Sequence, residues 1–230
     1  MKTLGLIGGM SWESTVVYYQ HINRIVQEKL GGWHSAQLLM WSFDFHEIEK
    51  DQSDGNWQAA RDKMVDAANR LKSAGADAIV ICTNTMHKMA DDIIQTTSLP
   101  VIHIADATAN AIKKKKLSKI GLLGTRYTME EDFYKGRLIE QHGLEVIIPD
   151  TAERAIIHDV IYNELCQGII NDNSRQRYKT VIQSLIDKGA AGIILGCTEI
   201  GLLIKQKDVT LPVFDTTFIH SQQAVEFAIH

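Results

Sequence analysis

Residues 189–201 read GAAGIILGCTEIG. The apolar run Ile193–Leu195 is short and continuous, which predicts a fully buried strand of a parallel sheet. Gly196 ends the run, and Cys197 and Thr198 follow it at the expected start of a helix. Reactive groups of α/β proteins commonly lie at this end of a buried strand. Because amide dipoles at a helix N-terminus favour the thiolate over the thiol, we expect Cys197 to be a reactive thiolate.

The same pattern occurs earlier in the chain. Residues 75–87 read GADAIVICTNTMH and align with residues 189–201 without a gap, so that Thr83 corresponds to Cys197. Flanking matches extend the repeat; they are LGLIG at 4–8 with IGLLG at 120–124, and LPV at 99–101 with LPV at 211–213. A repeat of about 110 residues predicts two similar α/β lobes. We expect a pseudo-twofold axis to relate them and to place Thr83 and Cys197 on opposite sides of one cleft.

Bulk properties narrow the function classes. The 230 residues are 45% hydrophobic and 23% charged, which is typical of a globular protein. A net charge of −4 gives no reason to expect a nucleic-acid partner. Three cysteines are too few and too odd in number for a disulfide framework and indicate a reducing compartment. The chain shows no signal-peptide pattern and no apolar stretch long enough for a membrane span, so a cytoplasmic protein is expected.

The order of elements predicts the architecture. Short apolar runs alternate with helical periodicity, which indicates right-handed crossovers and mostly parallel sheets. We expect residues 1–98 with 210–230 to form an N-terminal α/β lobe and residues 99–209 to form a C-terminal one. The pattern also predicts a strand at Val101–Ile104 and one helix that begins at Thr128 or Met129 and ends at His142.

Three further motifs favour ordinary explanations. The turn GLIGGMS at 5–11 lacks the spacing of a dinucleotide fingerprint, but its backbone amides, including those of Met10 and Ser11, are expected to approach a small anion. The lysines at 113–116 fit the exposed last turn of a helix rather than a nucleic-acid or membrane surface. Cys82 and His87 lack a second pair at ligand spacing, so no metal site is expected.

Paired groups across a cleft suit the inversion of a stereocentre. One face requires a base that removes a proton, and the other requires an acid that returns one. Backbone amides at the strand ends, with the hydroxyls of Thr85, Thr125 and Thr198, are expected to bind the carboxylate of an enolate-like intermediate.

Four segments together resemble the aspartate/glutamate racemase family. They are LGLIGGMSWEST at 4–15, CTNTMH at 82–87, GLLGTRYTM at 121–129 and GCTEIG at 196–201. The resemblance covers nearly the whole chain in matching order. It implies an amino-acid racemase with two Rossmann-like (flavodoxin-like) lobes, an active site between them and two facing thiols. It also implies that no pyridoxal phosphate or metal is needed, and that the partner is a second copy in a homodimer.

The chain departs from the family pattern at its first thiol. The family has Cys-Asn-Thr, whereas here Thr83 precedes Asn84 and the cysteine, Cys82, lies one position earlier. Because successive strand residues point in different directions, Cys82 and Thr83 cannot both occupy the catalytic position. We predict that Thr83 donates or relays a proton and that Cys197 is the strong base. If a bulge brings Cys82 into the site instead, a two-thiol mechanism applies.

The remaining candidates are binding residues. By resemblance and position, Asn84 and Thr85 bind the substrate carboxylate or ammonium. Relatives place substrate contacts near Gln52, and Glu164 is a candidate for the substrate ammonium or side chain; a solvated surface role is the alternative for both. Neither position carries a cation, which leaves a substrate range wider than aspartate and glutamate open.

Two other functions remain open. One is a thiol-based isomerase or decarboxylase of a small dicarboxylate or hydantoin with the same architecture. The other is a catalytically silent amino-acid-binding protein. Exchange of the substrate α-proton with solvent separates these from a racemase, because a binding protein exchanges nothing.

Overall fold

The computed structural model describes all 230 residues and divides into two compact units. The first comprises Met1–His103 and His220–His230, and the second comprises Ile104–Ile219. These bounds differ from the expected 98/99 and 209/210. The main reason is the strand Val213–Asp215, which pairs in parallel with Ile193–Gly196 and therefore belongs to the second sheet.

The first unit contains a parallel sheet of three strands, β1 (Leu4–Gly8), β2 (Leu38–Ser42) and β3 (Ala78–Ile81). Strand β1 lies in the centre and pairs with both others. The helices of this part of the chain are α1 (Trp12–Leu30), α2 (Phe45–Ser53), α3 (Trp57–Ser73) and α4 (Ala90–Thr97). A 3-10 helix, Thr85–Met89, precedes α4.

The alternation of side chains along these strands builds a core on each face of the sheet. Leu6 and Val80 pack on one face with Tyr18 of α1. Ile7 and Ile81 lie in a second apolar cluster, to which α2, α3 and α4 contribute side chains. Both clusters are needed because a parallel sheet has two buried faces.

The second unit contains a four-stranded parallel sheet in the order β5-β4-β6-β7. Its strands are β4 (Lys119–Gly124), β5 (Glu145–Ile147), β6 (Ile193–Gly196) and β7 (Val213–Asp215). The helices are α5 (Ile104–Lys114), α6 (Arg126–Glu130), α7 (Lys135–Glu140), α8 (Thr151–Asn163), α9 (Asp172–Asp187), α10 (Ile200–Leu203) and α11 (Thr216–Ile229). The boundary between the units falls within α11. None of the eleven helices has both the length and the apolar character that a bilayer crossing requires.

Two elements differ from the sequence-based expectation. The strand expected at Val101–Ile104 is reduced to a single bridge between Val101 and Ile79, because α5 already begins at Ile104. The helix expected over Thr128–His142 is divided into α6 and α7. Glu131 adopts an extended conformation (φ −87°, ψ 155°) that ends α6.

Candidate active site

The side chain of Cys82 lies in the core of the first unit. It continues the alternation of β3 and packs in the same cluster as Leu6, Val80 and Tyr18. Its Sγ lies 3.7 Å from the carbonyl oxygen of Val80. Burial raises the pKa of the Cys82 thiol far above its usual range, so the thiol stays protonated. A thiol in this position is a packing group.

Thr83, Asn84 and Thr85 form the loop that follows β3. All three are buried, and 8% of the Thr83 surface is exposed. The loop is held by His87, whose backbone N–H donates to the carbonyl of Asn84 at 3.1 Å. The His87 ring also contacts it, with Nδ1 2.7 Å from the carbonyl oxygen of Thr83. Both contacts tie the 3-10 helix to the loop residues directly before it.

Met10 lies in the turn after β1. Its side chain is buried in the apolar cluster on the α3 face, so only its backbone can face a ligand. Gly9 adopts φ +80°, and a Cβ there would lie 2.3 Å from the carbonyl oxygen of Phe43. The N–H of Gly9 donates to Thr15 Oγ1 at 2.9 Å. The turn therefore depends on glycine for both its conformation and its packing.

Gln52 lies near the end of α2 and is buried. Its Nε2 donates to the sulfur of Met86 at 3.2 Å. Because Met86 directly follows Thr85, this contact brings Gln52 to the Asn84–Thr85 loop. The sequence places these residues more than thirty positions apart.

Cys197 lies directly after β6 in the second unit and is 7% exposed. The backbone of β6 lies close to that of β4 at this point, because a Cβ at Gly196 would lie 2.6 Å from the carbonyl oxygen of Leu123. The Cys197 thiol donates to Glu199 Oε2 at 2.9 Å, and the Thr198 hydroxyl donates to the same oxygen at 2.9 Å. One buried carboxylate oxygen therefore accepts from both neighbours.

The protonation state of Cys197 differs from the expected thiolate. Burial, and next the charge of the Glu199 carboxylate, raise the pKa of the Cys197 thiol well above its usual range. The helix that follows, α10, has only four residues and begins three positions later, so its dipole is a small opposing influence. The resting group is a thiol hydrogen-bonded to a carboxylate.

Thr125 and Cys197 follow the carboxyl ends of the two central strands of the second sheet, β4 and β6. Gly124 pairs with Gly196, so the two residues each come one position after adjacent strand ends. The Thr125 hydroxyl accepts from the N–H of Thr128 at 3.3 Å and thereby caps α6. Its backbone is extended (φ −63°, ψ 161°).

Glu164 ends α8 in the second unit. Its Oε1 accepts from the hydroxyl of the buried Ser174 at 2.8 Å. Its Oε2 is buried and has no hydrogen-bond partner in the protein. A carboxylate oxygen in this state favours a positively charged or N–H donor.

The predicted site residues are thus divided between the two units. Met10, Gln52, Thr83, Asn84 and Thr85 lie in the first, and Thr125, Glu164, Cys197 and Thr198 lie in the second. No group of three or more His, Cys, Asp or Glu side chains is placed to hold a metal ion.

Comparison with known proteins places this pair of sheets in one family. The family model of the Asp/Glu/hydantoin racemases matches residues 7–224. The chain belongs to this racemase family. Its homologues are amino-acid racemases, and the enzyme class is that of the isomerases.

Three relatives of this racemase-family chain illustrate the range of sequence identity and of named activity. The broad-specificity amino-acid racemase RacX of Bacillus subtilis is 28% identical over 93% of this chain and 92% of its own length. A Yersinia pestis protein provisionally named an Asp/Glu racemase has a solved structure that is 56% identical, with all of both chains covered and a TM-score of 0.92. An aspartate racemase homologue of Pyrococcus horikoshii is 35% identical, again with full coverage of both chains, and has a TM-score of 0.85.

The structure adds two tyrosines near the racemase-family cysteine motif. Burial, and next the electrostatic interaction with an ionised Cys197, raise the pKa of both Tyr162 and Tyr178 well above their usual range, so both hydroxyls stay protonated. The Tyr178 hydroxyl donates to the carbonyl of Ile157 at 3.1 Å. Sequence reasoning missed these residues because nothing in a helical pattern distinguishes a tyrosine that contacts a site from one that fills the core.

Proposed function

We propose that this protein interconverts L- and D-amino acids without pyridoxal phosphate or a metal, by proton transfer on both faces of the α-carbon. Cys197 acts on one face of the α-carbon and Thr83 on the other. The observation that carries the proposal is the hydrogen bond from the Cys197 thiol to Glu199. It supplies a protein acceptor for the thiol proton at the residue that the repeat predicts to be the base.

Cys197 requires Glu199 for its role as a base, since burial holds the thiol in its protonated form. The thiol proton first passes to Glu199 Oε2, which leaves a thiolate. The thiolate then takes the α-proton, and the electron pair of the C–H bond is delocalised into the substrate carboxylate. In the reverse direction the Cys197 thiol donates to the carbanion.

Thr83 returns the proton on the other face. Its hydroxyl donates to the carbanion and takes a proton from water, while the proton held by Glu199 returns to solvent. The position of Cys82 supports this assignment, because its side chain is fully buried in the apolar cluster that contains Val80 and Tyr18.

Substrate recognition is assigned to the polar groups around the two strand ends. We propose that Asn84, Thr85, Thr125 and Thr198, with the backbone at Met10, bind the carboxylate and stabilise its enolate form. Glu164 binds the ammonium group, which the unpartnered Oε2 supports. Gln52 contacts the substrate side chain.

The proposed substrates are aspartate and glutamate, with a wider range as the competing outcome. Gln52 and Glu164 carry no positive charge, so these two positions do not demand an acidic side chain. The names of the relatives span aspartate, glutamate and broad-specificity racemases.

The decisive experiment is incubation of the purified protein in D₂O with L-aspartate, L-glutamate and a panel of neutral L-amino acids. No cofactor or metal is added, and the products are separated by chirality and weighed by mass spectrometry. The expected result is a D-enantiomer with one α-deuterium, lost in Cys197→Ser. Exchange with retention only would reject Thr83 as the second group. Absence of exchange with every amino acid would reject the racemase and favour a dicarboxylate isomerase or a binding protein.

We propose that the protein is a homodimer. An apolar groove of about 430 Å³ lies between α1 and the edge strand β2, and Trp12, Tyr19 and Met40 line it. Trp12 is 64% exposed, and exposed apolar patches of this kind commonly mark protein interfaces. Light scattering should give a dimer for the wild type and for the control Ile94→Lys, and a monomer for Tyr19→Lys. A wild-type monomer would reject the proposal.

We also propose that the protein acts in the cytoplasm. All three cysteines are free thiols, and Cys197 must stay reduced to move protons. Fractionation of source cells should recover the protein with cytoplasmic markers; recovery from an oxidising compartment would contradict this.

A further inference from the structure

Three histidines lie together in the interior of the first unit. They are His87, His103 and His220, here called the histidine cluster. The ring centroids of His87 and His103 lie 4.7 Å apart with planes at 60°, and those of His87 and His220 lie 5.4 Å apart with planes at 64°. Buried imidazoles cost desolvation free energy that apolar side chains of the same size would not. The cluster therefore requires an explanation beyond the filling of space.

The hydrogen bonds identify which ring nitrogen carries the proton. A carbonyl oxygen only accepts, so His87 Nδ1, 2.7 Å from the carbonyl oxygen of Thr83, must donate. By the same argument His220 Nε2, 2.6 Å from the carbonyl oxygen of Ile102, must donate. His220 Nδ1 then accepts from the Tyr18 hydroxyl at 2.8 Å. His87 thus carries a proton on Nδ1, and His220 is fixed in the tautomer that carries its proton on Nε2.

Hydrogen bonds and ring contacts together connect Tyr18 to Thr83. Tyr18 orients His220, and His220 holds the carbonyl of Ile102, the residue directly before His103. The His103 ring lies against His87, which holds Thr83. Burial, and next the charge of His87, lower the pKa of His220 to about 3, so its ring stays neutral.

We propose that His87 is a positioning residue for the proton transfer by Thr83, and that His103 and His220 hold the His87 ring in the orientation this requires. The inference rests on the proposed function of Thr83. A bond to the Thr83 carbonyl fixes the backbone from which the hydroxyl projects. Displacement of a reacting group by about 1 Å costs on the order of 100-fold in rate.

The test uses the geometry of amide side chains as substitutes for each tautomer. An asparagine amide can place its N–H near the position of Nδ1, and a glutamine amide can place its N–H near Nε2. We expect His87→Asn to retain inversion, and His87→Gln and His87→Leu to lose it on the order of 10- to 100-fold. At position 220 the preference should be reversed, with His220→Gln retaining inversion and His220→Asn losing it.

The readout is the ratio of inversion to α-deuterium exchange with retention in D₂O. Loss of Thr83 positioning lowers inversion but leaves exchange by Cys197, so the ratio falls. A general loss of packing lowers both by the same factor. An equal loss, or equal behaviour of the asparagine and glutamine variants at position 87, would overturn the proposal.

A second measurement makes the inference independent of activity. Hydrogen–deuterium exchange of a peptide covering residues 82–87 reports the protection of the loop amides without substrate. Protection should fall at least tenfold in His87→Leu and be kept in His87→Asn, with thermal stability measured in parallel. Unchanged protection in His87→Leu would reject the positioning role. If the wild type also fails to exchange any amino acid, the proposed function fails separately.

Discussion

The two strand ends of the internal repeat share a backbone plan and differ in their chemistry. Cys82 corresponds to Gly196, and Thr83 corresponds to Cys197. In the first unit the core-facing position after β3 holds a buried thiol. In the second unit the equivalent position has no room for a side chain, since a Cβ at Gly196 would meet the Leu123 carbonyl at 2.6 Å. The comparison supports the proposal that the next residue, Thr83 or Cys197, acts on the substrate in each unit.

The two loops are also held in different ways. In the first unit the His87 ring holds the carbonyl of the proposed catalytic residue itself. In the second unit the Thr217 hydroxyl donates to the carbonyl of Thr198 at 3.3 Å, and Glu199 accepts from the Cys197 thiol. An acceptor beside the thiol is what a base needs to release its proton. A hydroxyl that only relays a proton instead needs a fixed direction, which a rigid ring supplies.

The largest expected effect separates the two cysteines. Cys197→Ser should lower racemisation at least about 1,000-fold, since it removes the proposed base. Cys82→Ser should retain most activity while losing about 1–3 kcal/mol of unfolding free energy, because it places a hydroxyl in an apolar core. Polarimetry and urea unfolding of both variants measure this. Loss of activity in a folded Cys82→Ser would restore the two-thiol mechanism.

A smaller effect is expected at Thr83. Thr83→Val preserves the shape and removes the hydroxyl, so inversion should fall on the order of 100-fold while exchange with retention persists. Thr83→Cys should make the first unit resemble the second and bring the kcat values of the two enantiomers closer together. Because the equilibrium constant is one, kcat/KM must stay equal for both enantiomers, and the asymmetry is visible only in kcat and KM separately. An unchanged kcat in Thr83→Val would remove Thr83 from the mechanism.

The next effect concerns the acid–base partner of Cys197. Glu199→Gln removes a negative charge that raises the pKa of the thiol, so the thiolate fraction at pH 7–8 should increase. Alkylation of Cys197 by iodoacetamide, followed by peptide mass spectrometry, should become faster, because the thiolate is the form that reacts. Cys82 should stay unlabelled in both proteins. Slower labelling of Cys197 in the variant would contradict the electrostatic role of Glu199.

The sequence predicts the sheets better than it predicts the site. Buried runs such as Ile193–Leu195 specify strands because their apolar character is continuous, and the repeat aligns Thr83 with Cys197. The local pattern also predicts some elements that are longer than those observed. The strand expected at Val101 is a single bridge, because α5 begins at Ile104.

Protonation states and contacts across long separations need the folded chain. The sequence predicts a Cys197 thiolate from helix position, but burial and Glu199 determine the outcome. Likewise, Tyr18 and His220 are separated by 202 positions and meet only through the fold. The role of His87 therefore becomes visible only when the rings around it are known.

The smallest expected effect concerns His220, whose ring lies against the His87 ring that holds the first loop. The pKa of His220 is about 3 in the folded protein, against about 6.5 for an unfolded histidine. The unfolded chain therefore binds more protons between these values, so the stability that neutral His220 contributes is present above pH 6.5 and is lost as pH falls towards 3. Between pH 6.5 and 5.5 the loss should be about 1 kcal/mol.

Urea unfolding at the two pH values measures this loss. His220→Gln does not titrate and should show a pH dependence flatter by that amount, whereas His34→Gln, at an exposed position of the same unit, should behave as the wild type. An identical pH dependence in His220→Gln and the wild type would mean that His220 is not held neutral by the fold. In that case the ring contact to His87 would be too weakly defined to orient it, and the contrast between an imidazole-held first loop and a hydroxyl-held second loop would lose its basis.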